Sequence, residues 1–137
     1  MSTRTCTGSC HCGNVRFEAD LDLDAGGGKC NCSICRKPRN WSASVKPEAF
    51  RLLEGAGEVV DYQFGTGSVH WPFCRRCGVR AYGHGDIPEA GGRFYSVRLN
   101  CLDDVPAEAL AAMPVRYANG RDNDWWHEPR DAEKRWL

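Results

Sequence analysis

Short segments in which apolar and polar residues alternate recur along this 137-residue chain. Val15, Phe17 and Ala19 alternate with polar neighbours, and the clearest segment of this kind spans residues 93–100. Alternation with a period of two predicts strands with one buried face. The same pattern predicts further short strands at residues 41–45, at 47–55 after a turn, at 59–65 and at 79–83.

Other segments predict a helix and loops. The alanine-rich stretch 107–113 ends before Pro114, which predicts a short helix. Residues 20–29 are acidic and then rich in glycine, and residues 85–92 contain Pro88 and paired glycines, so both are predicted to be loops. Many short strands between glycine or proline turns predict a mainly β fold, a sandwich or a compact barrel.

The length is that of one domain with a modest core, and we expect a single domain over residues 1–137. Its core is predicted to span about residues 6–117. The tail, residues 118–137, is polar and charged but contains Trp125, Trp126 and Trp136. Such a segment is expected to lie over the surface of the domain.

Charge and hydropathy exclude several classes of protein. Basic and acidic residues balance at 18 each, which predicts no bulk attraction to nucleic acid or to a membrane surface. No apolar run approaches the roughly 20 residues of a membrane span. Residues 1–5 are polar and lack the apolar core of a secretory signal. A cytoplasmic protein is therefore expected, and the sequence leaves its oligomeric state open.

Nine cysteines are many for a chain of this length, and their number is odd. In a secreted protein they would suggest four disulfides and one spare thiol. Without an export signal, clustered C-x-C and C-x-x-C pairs are more typical of metal ligands than of disulfides.

Two cysteine pairs have the pattern of zinc knuckles, because a glycine follows the second cysteine of each pair. The pairs are Cys10 with Cys12, and Cys74 with Cys77. Facing one another, they would supply four sulfurs to one closed, structural zinc ion. Such a site would also clip together segments that are some sixty residues apart in sequence.

The remaining cluster, Cys30, Cys32 and Cys35, offers three thiolates. Three protein ligands leave a tetrahedral zinc ion one position short, which is typical of a catalytic site. In one alternative the protein supplies a fourth ligand and this zinc is structural as well; in another the three cysteines complete a site with one of the pairs. The candidates for a fourth ligand are Cys6, Cys101, His11, His70, His84 and His127.

The histidines and the two remaining cysteines carry weaker signals. His11 is expected to point away from the metal, and His84, between two glycines, is expected on a surface loop. Cys6 and Cys101 are expected to be buried, inert thiols.

A basic segment follows the three cysteines. Arg36, Lys37 and Arg39 could stabilise thiolates and receive the carboxylates of an anionic ligand, or they could be a solvated, proline-broken loop. Trp41 could form a wall of a ligand pocket, or it could pack in the core.

Three stretches together resemble the glutathione-dependent formaldehyde-activating enzyme family, the group that also includes centromere protein V. They are residues 8–18 (GSCHCGNVRFE), 30–37 (CNCSICRK) and 73–78 (FCRRCG), and the resemblance extends from about Cys6 to Tyr117. It implies a mostly antiparallel β-tent fold clipped by zinc knuckles, with one short helix near the C-terminus, and two zinc ions. The structural ligands would be Cys10, Cys12, Cys74 and Cys77, and the catalytic ligands would be Cys30, Cys32 and Cys35.

The resemblance also implies an activity, the condensation of formaldehyde with glutathione to S-(hydroxymethyl)glutathione, which is a carbon–sulfur lyase reaction run in reverse. In this hypothesis a thiol enters the open zinc position, loses its proton and attacks a small aldehyde. A second hypothesis is a non-catalytic zinc protein that binds or carries glutathione or another thiol. A third is a structural zinc protein that binds a macromolecule, which the balanced charge disfavours.

Overall fold

The computed structural model describes residues 3–137 and shows the mainly β fold that the sequence predicts. Two sheets are joined by loops, short helices and 3₁₀ turns. Within residues 3–137 no helix is long and apolar enough to cross a membrane. The strands are β1 (Thr3–Ser9), β2 (Arg16–Asp22), β3 (Gly27–Cys30), β4 (Ser42–Val45), β5 (Phe50–Glu54), β6 (Val59–Tyr62), β7 (Val69–Cys74), β8 (Tyr82–Ile87), β9 (Gly92–Arg98) and β10 (Val115–Ala118). The helices are α1 (Ser33–Arg36), α2 (Ala107–Ala112) and α3 (Asp131–Lys134).

The smaller sheet is antiparallel and has the order β1-β2-β5. The alternation in β2 behaves as predicted, since Phe17, Ala19 and Leu21 are buried and the residues between them are partly exposed. On the polar face of this sheet, Arg51 of β5 links to β2 through two hydrogen bonds. It donates to Glu18 Oε1 over 2.6 Å and to Asp20 Oδ1 over 2.8 Å.

The larger sheet has the order β10-β3-β4-β9-β8-β7-β6, and only β10 and β3 are parallel among its described pairs. Residues 20–29 were predicted to be a loop, but β2 extends to Asp22 and Gly27–Cys30 forms β3. Close packing requires a glycine at position 27 of this strand. A Cβ at Gly27 would lie 2.5 Å from Leu99 Cδ1 and 2.8 Å from Ser42 O. A glycine-rich strand therefore fits where a larger side chain would clash.

The strand after the second cysteine pair also differs from the prediction. Residues 79–83 were predicted to be a strand and 85–92 a loop, whereas β8 runs from Tyr82 to Ile87. Its Gly85 pairs with Phe94, and a Cβ there would lie 3.0 Å from that ring. Close packing on β9 explains why a glycine occupies a strand.

Aromatic rings fill the space between the two sheets. Phe50 of β5 stacks on Phe17 at 5.5 Å between centroids and on Tyr95 of β9 at 4.4 Å. Tyr82 of β8 lies 5.2 Å from the same ring. Phe50 therefore connects the smaller sheet to the larger one.

The tail is more deeply integrated than the sequence suggests. Leu137 and Glu133 are 3% exposed, and the main-chain oxygen of Leu137 accepts a hydrogen bond of 2.8 Å from Lys29 Nζ in β3. The indole of Trp126, by contrast, is 90% exposed. Part of the tail thus packs against the segment that carries the three-cysteine cluster.

Candidate metal centres

The side chains of Cys10, Cys12, Cys74 and Cys77 converge, and we call them the four-cysteine cluster. All four Sγ atoms lie within 4.8 Å of one another. Cys12 Sγ lies 3.6 Å from the sulfurs of both Cys10 and Cys74. A tetrahedral ion with metal–sulfur bonds of about 2.3 Å requires sulfur–sulfur distances of about 3.8 Å, so the donors fit zinc in type, number and spacing.

Two similar turns present these sulfurs. The first is the loop of the β1–β2 hairpin, in which the backbone amide of Cys10 donates to Val15 O over 3.0 Å. The second follows β7, and Cys74 N donates to Val79 O over 3.0 Å. Gly13 and Gly78 adopt positive φ angles of 82° and 77°, which side-chain-bearing residues rarely do. The glycine after each pair is therefore part of the turn that aims the cysteines.

Backbone amides favour thiolate at two cysteines of this cluster, whereas burial and hydrogen bonds to the neighbouring sulfurs raise the pKa of Cys12 to about 11. Burial opposes the ionisation of Cys77, but the amides of Val79 and Cys12 donate to its sulfur and bring its pKa down to about 6. The amides of Cys77 and Arg76 likewise lower the pKa of Cys74. Amides that stabilise a thiolate also stabilise the ligand form that a metal ion needs.

The side chains of Cys30, Cys32 and Cys35 form the second group, the three-cysteine cluster. Cys30 ends β3, Cys32 precedes the first residue of α1, and Cys35 lies within α1. Their Sγ atoms lie within 4.8 Å of one another. The single turn of α1, closed by Arg36 N donating to Cys32 O over 2.8 Å, brings Cys35 back towards the other two.

Hydrogen bonds between the sulfurs make the three thiols unequal. Cys32 and Cys35 donate to Cys30 and lower its pKa, helped by the backbone amides of Cys32 and Gly120. The same sulfur contacts raise the pKa of Cys35. Three thiols that share protons at this distance offer a site where a cation can replace the protons.

Among residues 3–137, no further cysteine, histidine, aspartate or glutamate joins the three-cysteine cluster within 4.8 Å. Cys6, in β1 of the smaller sheet, is fully buried, and Cys101 Sγ contacts Arg80 O at 3.9 Å. His70 pairs with Asp61 at 2.6 Å, and His127 pairs with Asp124 at 3.0 Å. The predicted fourth-ligand candidates are thus engaged elsewhere or distant, and every cysteine of residues 3–137 is a free thiol.

His84 and Cys101 differ from the expectations. His84 was expected on a surface loop, but it lies in β8, is partly buried and stacks on His70 with 4.4 Å between ring centroids. Cys101 is only partly buried, while Cys6 is buried as expected. Burial raises the pKa of Cys101 to about 11, so its thiol stays protonated at neutral pH.

Asn31 holds the three-cysteine cluster in place. It is fully buried, and its side-chain amide donates to Asn119 Oδ1 over 2.8 Å and to Glu133 Oε1 over 3.1 Å. Its oxygen accepts from Arg121 N over 3.0 Å. Glu133 in turn accepts from Arg121 Nη1 over 2.8 Å. The residue between two candidate ligands is therefore anchored by the tail.

The tail also limits the space beside Cys30. A Cβ at Gly120 would lie 2.6 Å from Cys30 Sγ and 2.8 Å from a ring carbon of Trp125. Only a glycine lets the backbone approach the sulfur so closely. Neither Asn31, Gly120 nor Glu133 was predicted as part of the site, because their partners lie about ninety positions or more away in the sequence.

The side chains of the predicted basic segment point to different parts of the surface. Arg39 and Trp41 line a cavity of about 440 Å³ beside Cys35, on the side of Asn40. Lys37 lies on a different groove beside Ile34, and the Arg36 guanidinium lies 5.9 Å from the centroid of the Trp136 ring. Trp41 also packs against the core, as one of its two interpretations predicted.

Two comparisons relate this chain to known proteins. The family model for the glutathione-dependent formaldehyde-activating enzyme matches residues 5–119. A protein of Rhodobacter sphaeroides with a known crystal structure is similar in fold, with a TM-score of 0.68 and 31% sequence identity. The similarity covers 80% of this chain and 99% of that protein.

Proposed function

Because the chain belongs to the glutathione-dependent formaldehyde-activating enzyme family, we propose that it joins a glutathione-like thiol to a small aldehyde at the three-cysteine cluster. The reaction would be that of an S-(hydroxymethyl)glutathione synthase, a carbon–sulfur lyase acting in the direction of synthesis. A sulfur–carbon bond forms as the carbonyl π bond breaks. The thiol gives up its proton and the former carbonyl oxygen gains one, so no oxidant or reductant is needed.

One observation carries this proposal: three sulfurs lie within 4.8 Å of one another, and no fourth donor of the described residues joins them. We propose two zinc ions per chain, one in the four-cysteine cluster with a structural role and one in the three-cysteine cluster with a catalytic role. When bound by Cys30, Cys32 and Cys35, zinc would supply one free position at which a thiol loses its proton near neutral pH.

The chain's own residues would hold the cluster and the substrate. Asn31 and Gly120 fix the position of Cys30, and Asn40 places an amide 4.0 Å from Cys35 Sγ. Of the basic side chains predicted to bind the substrate, Arg39 is the best placed, with Trp41 as a wall of the same cavity. Arg36 and Lys37 would contact only parts of a substrate that extend along the outer face of α1.

Steady-state kinetics test the proposal. The rate of condensation of formaldehyde with glutathione, above the spontaneous rate, should saturate with glutathione for the zinc-loaded wild-type protein. Cys32→Ser should abolish the saturable rate, because it removes one of the three sulfurs. Ser33→Ala is the matched control, since it alters the next residue along the chain and keeps all seven sulfurs.

The result also separates an enzyme from a carrier. A protein that only binds thiols would leave the condensation at the spontaneous rate, or would slow it, while still binding glutathione. That outcome would overturn the proposed catalysis and would favour the thiol-binding alternative.

A further inference from the structure

The cavity beside the three-cysteine cluster is strongly basic. Its lining includes Lys29, Arg39, Arg80 and Arg98, and it includes no aspartate or glutamate of residues 3–137. None of these four side chains lies within 4.0 Å of an aspartate or glutamate carboxylate in the described part of the chain. Lys29 and Arg39 both donate to the oxygen of Leu137, the last residue of the printed sequence. We call this space the basic cavity; its volume is about 440 Å³.

Arg98 is the most informative of the four. The residue is 6% exposed, and its Nε is buried without a hydrogen-bond partner among residues 3–137. Burial lowers the pKa of its guanidinium to about 10. A buried cation is normally paired with an anion, because loss of its hydration otherwise destabilises the fold. Among residues 3–137, Arg98 therefore has no anionic partner.

Aromatic rings, not carboxylates, contact the guanidinium groups of Arg98 and Arg80. The Arg98 guanidinium lies 5.8 Å from the centroid of the Trp71 ring. The Arg80 guanidinium lies 5.8 Å from the Phe73 ring centroid and 5.9 Å from that of Tyr62. Stacking of this kind fixes the orientation of a guanidinium and leaves its charge and its donors available.

The other two cations, Lys29 and Arg39, share one acceptor, the oxygen of Leu137 in the tail. Lys29 Nζ donates to Leu137 O over 2.8 Å, and Arg39 Nη2 approaches the same oxygen at 3.3 Å. Burial and the neighbouring charge of Arg39 both lower the pKa of Lys29. The Leu137 oxygen already lies between these two cations, so they add positive charge to the basic cavity while one donor of each is in use.

Balancing the charge of a metal centre does not account for four cations. Three thiolates and one Zn²⁺ carry a formal net charge of −1, which one guanidinium offsets. Arg98, whose charge interacts with Cys35, is suited to that role. A carboxylate at Leu137 would offset one more of the cations, so two positive charges remain. The cavity is large enough for a small oxyanion with its adjoining atoms.

We propose that the basic cavity binds an oxyanion, a carboxylate or a phosphate, through Arg80 and Arg98 with Arg39 and Lys29. Trp41 would add a neutral donor, since its buried Nε1 has no partner among residues 3–137 and its side chain lines the cavity. Asn40 lines this cavity, and its Nδ2 lies 4.0 Å from Cys35 Sγ. Resting on the proposed function, we infer further that the site selects thiols that carry an acid group over neutral thiols.

Calorimetry on the zinc-loaded full chain tests the proposal with four probes. Inorganic phosphate and succinate contain no thiol, 3-mercaptopropionate is an anionic thiol, and 2-mercaptoethanol is a neutral one. The wild-type protein should bind at least one of the two thiol-free anions, and it should bind 3-mercaptopropionate about tenfold or more tightly than 2-mercaptoethanol.

Three variants assign the effect to the cavity. Arg98→Met and Arg80→Gln should each weaken binding of the anions about tenfold or more. Arg93→Gln is the matched control: it makes the same change of charge at an exposed arginine outside the cavity, and affinity should stay as in the wild type. Arg80 is only partly buried, so Arg80→Gln decides the test if Arg98→Met does not fold.

The outcomes separate this inference from the proposed function. If no thiol binds but succinate or phosphate binds in a manner that depends on Arg80, the basic cavity stands and the thiol chemistry fails. If both thiols bind equally and neither thiol-free anion binds, the basic cavity is refuted while thiol binding stands. Competition between phosphate and 3-mercaptopropionate would support a substrate carboxylate as the occupant, and simultaneous binding would support a separate anion.

Discussion

The side-chain amide of Asn31 donates to Glu133 Oε1 over 3.1 Å, although the two residues are 102 positions apart in the sequence. Both side chains are buried, and Glu133 also pairs with Arg121. Asn31 lies between two candidate metal ligands, Cys30 and Cys32. The geometry of the three-cysteine cluster therefore depends on the tail of the chain as well as on its own loop.

The first prediction concerns this anchor. Asn31→Ala leaves Asn119, Glu133 and the Arg121 amide without one partner each, so we expect a loss of about 2–4 kcal/mol in the free energy of unfolding. Zinc affinity at the three-cysteine cluster should fall about 10- to 100-fold, as for other residues that orient ligands. Urea denaturation and competition with a zinc chelator measure the two effects.

Asn14→Ala is the control for that experiment. Asn14 donates a single hydrogen bond, to Glu58 Oε1 over 3.1 Å, beside the four-cysteine cluster. Its removal should leave the zinc affinity of the three-cysteine cluster unchanged. If Asn31→Ala retained both stability and zinc, the anchoring role of the tail would be wrong.

The second prediction concerns the close approach of Gly120 to Cys30. Gly120→Ala places a methyl group 2.6 Å from Cys30 Sγ, so the sulfur or the tail must move. We expect about 1–3 kcal/mol of destabilisation and loss of one of two zinc ions per chain. Metal analysis and thermal unfolding check this. Gly57→Ala is the matched control, because its Cβ would meet nothing within 4 Å, and its zinc content should not change.

A third prediction separates the roles of the two clusters. The four-cysteine cluster joins the β1–β2 hairpin to the end of β7, with Cys12 and Cys74 62 positions apart. Cys12 is exposed, so Cys12→Ser leaves the packing of the core intact and should act through the metal. We expect Cys12→Ser to lower the urea midpoint much more than Cys32→Ser, because the second cluster lies within one short segment. If the two variants lowered the urea midpoint equally, the claim that only the four-cysteine cluster has a structural role would be contradicted.

The fourth prediction is a pH dependence. Arg51, which donates to Asp20, and the hydroxyl of Thr5 lower the pKa of Asp20. A carboxylate whose pKa is depressed by folding stabilises the folded state above its unfolded pKa of about 3.9, and this contribution is lost as the pH falls through the folded value. Asp20→Asn should therefore lower stability at pH 7 and have a diminishing effect below about pH 4.

Urea midpoints measured across this pH range test that sign. Asp22→Asn, a change of the same type on the same strand that leaves the pair of Asp20 with Arg51 intact, is the control. An effect of Asp20→Asn that grew towards acid pH would contradict the assigned ion pair with Arg51.

The sequence predicted the elements whose side chains alternate or cluster. Phe17 and Ala19 mark β2, and Val15 directly precedes it, because their alternation follows directly from burial of one face. The helix at Ala107–Ala112 was predicted from local composition. The seven cysteines group as their spacing indicates, because C-x-C and C-x-x-C pairs constrain sulfur positions over only a few residues.

What the sequence did not predict depends on distant contacts. Gly27 lies in a strand because Leu99 and Ser42 pack against it, and a single glycine-rich segment does not reveal those neighbours. Arg98 falls in a predicted strand, but its place in the basic cavity depends on where Trp71 and Cys35 lie. The same holds for Asn31, whose partners belong to the tail.

The central claim is that one metal ion is enclosed by four sulfurs and the other, held by three, can accept a thiol. Titration of the cobalt-substituted protein with glutathione tests it most directly, through the sulfur-to-cobalt charge-transfer absorption. We predict that the absorption rises and saturates at one glutathione per chain, and that Cys32→Ser abolishes the rise. A spectrum that glutathione leaves unchanged, with both cobalt ions bound, would contradict the claim.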